Sequence, residues 1–365
     1  MSRSFFVVMG MLFMLITACS FPNTNPKLNH IQMVGSHNSY KGPLDPKIKA
    51  LVAEKDAAAV AKIDYSHPPF ITQLAMGMRH FEIDIVKDPQ GGKFAKPLGE
   101  RLTNQHILSE RQLTELKKPG FKVMHIPDID FISHCILFEG CLNALLHFSN
   151  SNPRHLPIVI LMNFKGNGNR FINGTPVLPF NRNDYEEVDN ILFETFGDKL
   201  ITPDEVRGDH KTLEEGALNG GWPLLEVARG RFLFILDGKP EERETYREHH
   251  PSLSGRALFS SYLPGEAEAA FMVRNNAIKQ FDEIKELVKL GYMVRTRADS
   301  GQGSDSKIDD VKVRTKSAID SGAQIISTDF YPSAPQKLSD DFSVSFKGHK
   351  LNRCNPLFLE TYCLL

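Results

Sequence analysis

The chain has 365 residues, of which 41% are hydrophobic and 24% are charged, the composition of an ordinary globular protein. This length is enough to bury a sizeable core, and it suits one large α/β barrel or two smaller domains. The formal net charge is −1 and no block of like charges occurs, which argues against a nucleic-acid partner and against a polybasic membrane-binding patch.

The N-terminus has the pattern of an export signal. An almost uninterrupted apolar stretch covers residues 5–18, which is short for a transmembrane helix but typical of the core of a signal peptide. The stretch leads into the letters ITAC, with Cys19 last. This ending resembles the lipobox of bacterial lipoproteins, whose cysteine is acylated and becomes the mature N-terminus.

We therefore predict a lipoprotein signal peptide over residues 1–19, a polar tether over 20–29 and a folded domain over 30–365. Such a protein is exported and anchored to a membrane through Cys19, since several acyl chains hold a protein firmly to lipid. Ser20 after the cysteine favours the outer membrane if the source is Gram-negative. The alternative is a plain signal peptide and a secreted protein.

Eight short apolar runs bounded by turn residues follow the tether, and each is predicted to be a β-strand. They are His30–Gly35, His80–Ile85, Phe121–Ile126, Pro157–Met162, Arg231–Leu236, Ala257–Tyr262, Gly291–Arg295 and Ala323–Thr328. Several are continuous rather than alternating, which is typical of strands buried on both faces of a parallel sheet. Segments with helical spacing lie between them. The alternation predicts a single (β/α)8 TIM barrel, with the long loops Asp88–Gly120 and Gly166–Asn183 on its catalytic face.

Export also favours disulfide formation, and four of the five cysteines lie beyond Cys19. Four cysteines allow three connectivities, which spacing alone does not decide. We expect the local pairs Cys135–Cys141 and Cys354–Cys363. A zinc site is a poor alternative, because neither pair has the short spacing of zinc ligands.

The first predicted strand leads into VGSHNSY, residues 34–40, which places His37 and Asn38 at a strand tip. Barrel and open-sheet enzymes keep their chemistry at such tips. A single pair of this kind is more often an ordinary turn, so its meaning depends on what the other tips carry.

The second strand carries Glu82 and Asp84, which are two residues apart and therefore on the same side of the strand. Two carboxylates this close repel each other unless a cation or a shared proton intervenes. A hard divalent cation resolves the repulsion, and calcium accepts Asp, Glu and Asn oxygens together. The alternative is a pair of surface acids at a strand end.

Three later strand tips carry further polar groups. His125 lies at the end of the third run, and Asn163 and Lys165 follow the fourth, one able to ligate a metal and the other to meet a phosphate. Arg295 and Arg297 end the seventh as a same-side pair suited to phosphate or polyol recognition. Together the tips predict a site that handles a phosphate ester.

These groups permit a definite reaction. A phosphodiester with a neighbouring hydroxyl can be attacked by that hydroxyl, which gives a cyclic phosphate and releases the leaving alcohol. The reaction needs a base, an acid and a cation that neutralises the developing charge. Two histidines, a carboxylate and calcium meet these needs.

The chain resembles the calcium-dependent, phosphatidylinositol-specific phospholipase C family of bacterial and fungal type. The resemblance covers roughly residues 30–335 and rests on motifs in the family's order: GSHNSY, Glu82-x-Asp84, PGFKVMHIPDIDF, NPRHLPIVILMNFK, RGRFLFILDG, VRTRADS and IISTDF. It implies a single distorted TIM barrel and a substrate that is an inositol phospholipid or a related glycolipid at a membrane surface. We expect a monomer.

The resemblance also implies roles for the residues at the strand tips. His37 and His125 would be the catalytic pair, and Glu82 would also accept the proton of the inositol 2-hydroxyl. The remaining roles are metal binding by Asn38, Glu82, Asp84 and Asn163, and substrate binding by Lys165, Arg295 and Arg297.

Asn163 departs from the family's pattern, which has an acidic ligand at this position in a Glu-x-Lys motif. Asparagine keeps an oxygen donor but loses a charge, so calcium binding is expected to be weaker. Asp128 or Asp130 would be the compensating acid.

Two other hypotheses stay open. A glycerophosphodiester phosphodiesterase also uses a barrel, a metal and two histidines, but the sequence lacks its usual His-Arg-Gly opening and has His37-Asn38-Ser39 instead. A surface lipoprotein that binds such lipids without turnover is suggested by Asn163.

Overall fold

The structure is a computed structural model that describes residues 26–166, 174–299, 306–358 and 365. Its strands are β1 (Ile31–Ser36), β2 (His80–Asp88), β3 (Gly120–Val123), β4 (Ile158–Phe164), β5 (Phe232–Leu236), β6 (Leu258–Ser260), β7 (Phe271–Val273), β8 (Met293–Arg297), β9 (Ile325–Thr328) and β10 (Asn352–Cys354).

The α-helices lie between the strands. They are α1 (Pro46–Ala53), α2 (Ala57–Ile63), α3 (Phe70–Ala75), α4 (Leu98–Thr103), α5 (Glu110–Lys117), α6 (Phe138–Ser151), α7 (Arg182–Phe196), α8 (Pro203–Arg207), α9 (Leu213–Leu218), α10 (Leu225–Ala228), α11 (Pro240–Arg247), α12 (Phe281–Leu290) and α13 (Ile308–Asp320). None of these described helices is long and apolar enough to span a bilayer.

Local sequence explains where several helices begin and end. Asp45 caps α1 by accepting from the amides of Lys47 and Ile48, because the first helical amides have no partner within the helix. Ser109 begins α5 in the same way. Gly291 ends α12 in the left-handed conformation that glycine adopts without strain.

The described strands form two five-stranded sheets, in the orders β10-β1-β9-β8-β7 and β3-β2-β4-β5-β6. Within each sheet four strands are parallel neighbours, and β10 and β3 pair antiparallel at the edges. At one junction the amide of Ser39 donates to the carbonyl of Glu82 at 2.9 Å, and at the other Ser261 and Phe271 form a parallel bridge. The parallel strands therefore follow one another around a distorted (β/α)8 barrel.

A close contact at Gly35 lets β1 lie against β2. A Cβ on Gly35 would fall 2.4 Å from the Cβ of His80, so no larger residue fits without a shift of the backbone. His80 is itself buried, and burial first, followed by the charge of Arg295, lowers its pKa to about 3. A neutral imidazole thus packs inside the junction.

Each of the eight predicted runs contains a strand. The third run forms β3, which is not part of the ring of eight parallel strands that makes up the barrel, here called the ring. β3 runs antiparallel to β2 and ends at Val123, two residues before His125. The ring is completed instead by β7, which the sequence analysis missed. A three-residue strand is too short to show a period, so only its neighbours in the sheet identify it.

The core has two parts. The larger apolar cluster fills the barrel and the layer between strands and helices, and all five residues of β5 are buried in it. A smaller second cluster, here called the loop cluster, contains Leu44, Ile48, Phe94 and Phe131 among others and lies under the segment that carries His125. The loop cluster supports a long connection that would otherwise expose backbone polar groups.

The predicted disulfide Cys135–Cys141 is confirmed. It joins the segment after His125 to the first turn of α6. The second predicted pair involves Cys363, which lies outside the described residues, as do the predicted signal peptide and Cys19.

Candidate active site

The turn after β1 places His37 between two acids. Its Nδ1 lies 3.4 Å from Oδ1 of Asp329, which follows β9, and its Nε2 lies 3.8 Å from Oε1 of Glu82 on β2. The turn is tight because Asn38 adopts a left-handed backbone with φ 48°, a conformation that asparagine tolerates. Neighbouring strands thus supply the partners of this histidine.

A second histidine, His67, contacts both the backbone of His37 and the acid partner Asp329. Its Nε2 contacts the backbone carbonyl of His37 at 2.6 Å and lies 3.5 Å from Oδ1 of Asp329, and its Nδ1 contacts the hydroxyl of Tyr331 at 2.9 Å. Burial alone would raise the pKa of Asp329, but His37, His67 and Arg297 outweigh it and hold that pKa well below its usual range. Asp329 is therefore an anion that lies beside Nδ1 of His37.

His125 has a carboxylate partner of its own. Its Nδ1 lies 2.8 Å from Oδ2 of Asp130, whose side chain is fully buried. The ring of Tyr65 lies between the two histidines, with centroids 5.4 Å from His37 and 6.2 Å from His125. The two predicted catalytic histidines thus flank one aromatic ring, and each contacts a buried acid.

The predicted acid pair lies beside them on β2. Asn163 donates to Oε1 of Glu82 at 2.9 Å and to Oδ1 of Asp84 at 3.0 Å, because Asp84 and Asn163 are partners in the β2–β4 register. Burial alone would raise the pKa of Glu82, but His37, Arg295 and Arg297 lower it to about 2. Glu82 is therefore ionised at neutral pH.

Positive side chains already neutralise both acids. Arg295 donates to Oε2 of Glu82 at 2.7 Å, and Nζ of Lys165 lies 2.9 Å from Oδ2 of Asp84. Arg297 is likewise held by acids, at 2.8 Å from Asp299 and 3.1 Å from Asp329. Of the three predicted substrate-binding cations, Lys165 is the most accessible, with 36% of its side chain exposed against 2% for Arg295.

The donor set fits a calcium ion. One end of the Asn38 amide lies 3.3 Å from both carboxylate oxygens of Asp84, and the other end lies 2.6 Å from the hydroxyl of Tyr65. With its oxygen toward Asp84, the amide completes a group of three oxygens, which a hard cation stabilises. Glu82 adds a further oxygen of the same type, and Asn163 would add its own once its amide, whose nitrogen faces both acids here, is turned over. Among the described residues no three His, Cys, Asp or Glu side chains cluster as metal ligands, since two members of this set are asparagines.

The two acids expected to compensate for Asn163 have other partners. Asp128 accepts from the amide of Leu98 at 2.8 Å and from the hydroxyl of Thr175 at 2.8 Å, so it ties α4 to the segment before α7. Asp130 holds His125. Neither residue is thus placed as a ligand beside Glu82.

Asp237 is a member of the site that the sequence analysis did not single out. It directly follows β5, its amide donates to the carbonyl of Met162, and it lines a pocket of about 250 Å³ with Asn163 and Lys165. Burial raises its pKa to about 6, and Glu82 and Asp84 add to this effect. The signal was present, because Asp237 ends the fifth apolar run as the other site residues end theirs.

Fold and site define a class of protein. A barrel with two carboxylate-held histidines, paired acids and several cations at its strand ends is suited to acid–base cleavage of a phosphate ester. Residues 27–356 match the model of the Ca²⁺-dependent phosphoinositide phospholipase C family. The chain therefore belongs to this family, and it is a phosphodiester-cleaving enzyme of the phospholipase C type.

Solved structures support the same fold. The chain is similar to the calcium-dependent phosphoinositol-specific phospholipase C of a Gram-negative Pseudomonas species, with 15% identity, a TM-score of 0.54 and coverage of 90% of this chain and 96% of that one. The Ca²⁺-dependent enzyme from Streptomyces antibioticus is 16% identical with a TM-score of 0.54, covering 83% and 95%. No curated protein sequence matches the chain.

Proposed function

We propose that the enzyme cleaves phosphatidylinositol, or a related inositol lipid, to diacylglycerol and a cyclic inositol phosphate. The observation that carries the proposal is the pair of histidines around Tyr65, each held by its own buried carboxylate. This arrangement provides two imidazoles with defined orientations, as a reaction with one proton removed and one proton returned requires.

In the proposed reaction the inositol 2-hydroxyl oxygen attacks phosphorus and the bond to the diacylglycerol oxygen breaks. His37, oriented by Asp329, accepts the proton of the attacking hydroxyl. His125, oriented by Asp130, protonates the leaving oxygen. We assign the proton to His37 rather than to Glu82, because a carboxylate whose pKa is about 2 is a weak base at neutral pH.

The residues that would hold calcium are Asn38, Glu82, Asp84 and Asn163. Bound calcium would supply positive charge that acidifies the attacking hydroxyl and neutralises the phosphate. Lys165, the accessible cation, would contact the substrate phosphate or a ring hydroxyl. Arg295 and Arg297 would act chiefly by holding Glu82 and Asp329 in place.

The test is release of water-soluble inositol phosphate from phosphatidylinositol vesicles, with calcium or with chelator. Wild type, His37→Ala and the control His249→Ala are compared. The His249 side chain is largely exposed and is not a residue of the candidate site. Calcium-dependent release that is lost only in His37→Ala is the expected result. A folded protein that releases nothing with any divalent cation would contradict the proposal and favour lipid binding without turnover.

Calcium binding is measured separately from activity, by the shift of the thermal unfolding midpoint on adding calcium. The expected shift is present in the wild type and lost in Asp84→Asn. An equal shift in both proteins would remove Asp84 from the ligand set.

We also propose that Cys19 is acylated and anchors the enzyme to a membrane. Labelling of the expressed chain with a fatty-acid analogue is expected for the wild type and absent for Cys19→Ser. Labelling that persists in Cys19→Ser would contradict the assignment.

A further inference from the structure

Lys41 is a buried lysine four residues after His37, and the proposed reaction does not use it. Its side chain is fully buried, with Nζ 3.1 Å from Oδ1 of Asp130 and 2.6 Å from the backbone carbonyl of Tyr65. Nζ also lies 4.7 Å from the centre of the Tyr65 ring. A charged ammonium is rarely buried unless it is paired, so this placement has a specific partner in Asp130.

Asp130 is shared between Lys41 and His125. Its Oδ1 faces the ammonium, and its Oδ2 faces Nδ1 of His125 at 2.8 Å. Each carboxylate oxygen therefore has its own partner, and the contact of Oδ1 with Lys41 fixes the direction from which Oδ2 meets the imidazole.

The backbone holds the two segments in register. Lys41 and Ser133 form an antiparallel bridge, and the amide of Gly42 donates to the carbonyl of Ile132 at 2.9 Å. The turn that carries His37 is thereby joined to the segment that follows His125. Lys41 also contacts Tyr65, whose ring lies beside both histidines, so one ammonium links the two halves of the site.

We propose that Lys41 is a positioning residue for the phosphodiester cleavage, which fixes the carboxylate of Asp130 through its Oδ1 and thereby holds the imidazole of His125 in its working orientation. Lys41 acts through Asp130 and does not contact the substrate. The inference rests on the proposed function for its kinetic consequence, whereas its structural consequence for His125 can be measured without substrate.

The experiment compares Lys41→Met, which removes the charge and keeps the length, with the matched control Lys122→Met. Lys122 is also fully buried and pairs with an acid, with Nζ 3.5 Å from Asp88. The first readout is the imidazole N–H signal of His125 in nitrogen-15-labelled protein by NMR, recorded without substrate. We expect it in the wild type and in Lys122→Met, and expect it broadened or lost in Lys41→Met.

The second readout is kinetic. Relative to Lys122→Met, we expect kcat of Lys41→Met to fall about tenfold with KM changed less than about twofold, because an orienting contact affects the chemical step more than binding. An unchanged His125 signal together with kcat equal to that of the control would overturn the inference. If the wild type has no activity, the proposed function fails while the NMR readout still decides the role of Lys41.

A double variant keeps the test decisive if Lys41→Met does not fold. Lys41→Met/Asp130→Asn removes both charges, so no charge is left buried without a partner. If Lys41 acts through Asp130, this variant has the same kcat as Asp130→Asn alone. A further loss of about threefold or more in the double variant would show an independent role and overturn the inference.

Discussion

The two histidines of the site are held by different parts of the molecule. His37 directly follows β1, its amide donates to the carbonyl of Thr328, and its acid partner Asp329 follows the neighbouring strand β9. His125 lies beyond an antiparallel strand, and its partner Asp130 belongs to the same loop. One half of the site thus takes its geometry from the register of the parallel ring, and the other half takes it from tertiary contacts.

The difference indicates where each half is vulnerable. Ring contacts repeat along the sheet, so a side-chain change that leaves the backbone in place keeps most of them intact. The loop of His125 depends on a few separate supports: the loop cluster, the disulfide Cys135–Cys141 and the pair of Lys41 and Asp130.

The largest effect is expected at the histidines themselves. His37→Ala and His125→Ala should each lower kcat by roughly 10²- to 10⁴-fold, because each removes one proton-transfer group. Equal losses in the inositol phosphate assay would show that both halves contribute to the same step. A variant with near wild-type kcat would exclude its histidine from the chemistry.

Gly35→Ala should destabilise the parallel strands that position His37. The added Cβ would clash with both the side chain and the backbone carbonyl of His80. We therefore expect the free energy of unfolding to fall by about 3 kcal/mol or more. Denaturant titration measures the loss. Gly140→Ala is the control, because a Cβ there meets no atom within 4 Å, and wild-type stability in Gly35→Ala would refute the packing at this junction.

Removing the disulfide should loosen the loop half alone. Closing a short loop stabilises a protein by about 2 kcal/mol, so Cys135→Ala/Cys141→Ala should lose roughly that amount. Limited proteolysis should then cut first between His125 and α6. First cleavage within the strands of the ring would contradict the proposed division.

Asn163→Asp should strengthen calcium binding by about tenfold, because affinity follows the number of charged ligands. Asn163 lies on the ring, where register places it beside Asp84, so the loop half should be unaffected. Calcium titration measures the change, with the exposed Asn219→Asp as control. Unchanged affinity would exclude Asn163 as a ligand.

The smallest effect concerns Asp237 and pH. Its pKa is about 6 in the folded protein against an ordinary value of 3.8, so the folded state keeps a proton that the unfolded chain loses, and stability falls as pH rises from about 4 to about 6. Asp237→Asn should therefore be more stable than the wild type at neutral pH, by on the order of 1 kcal/mol after allowance for solvent in the pocket. Thermal unfolding in chelator should show the gain near pH 7 and none below about pH 4.

The sequence alone determined the fold class, and it predicted most of the residues of the candidate site. Continuous apolar runs separated by helical segments indicated a parallel barrel, since strands buried on both faces need no alternation. Polar residues within or just after the last part of those runs led to the prediction of Glu82, Asp84, Asn163 and Lys165, because parallel strands bring their carboxyl ends to one edge. The resemblance to a family then assigned the roles that remain to be tested.

Only the tertiary structure decided which groups meet across the ring. It placed Asp329 and His67 against His37, Asp130 against His125 and Lys41 against Asp130, and Arg295 against Glu82. These contacts join residues far apart in the chain or lie in loops, where no regular spacing in the sequence predicts which way a side chain points. It also showed that β7, and not β3, belongs to the ring. A short segment does not reveal by itself which strands it pairs with, because pairing depends on its neighbours in the sheet.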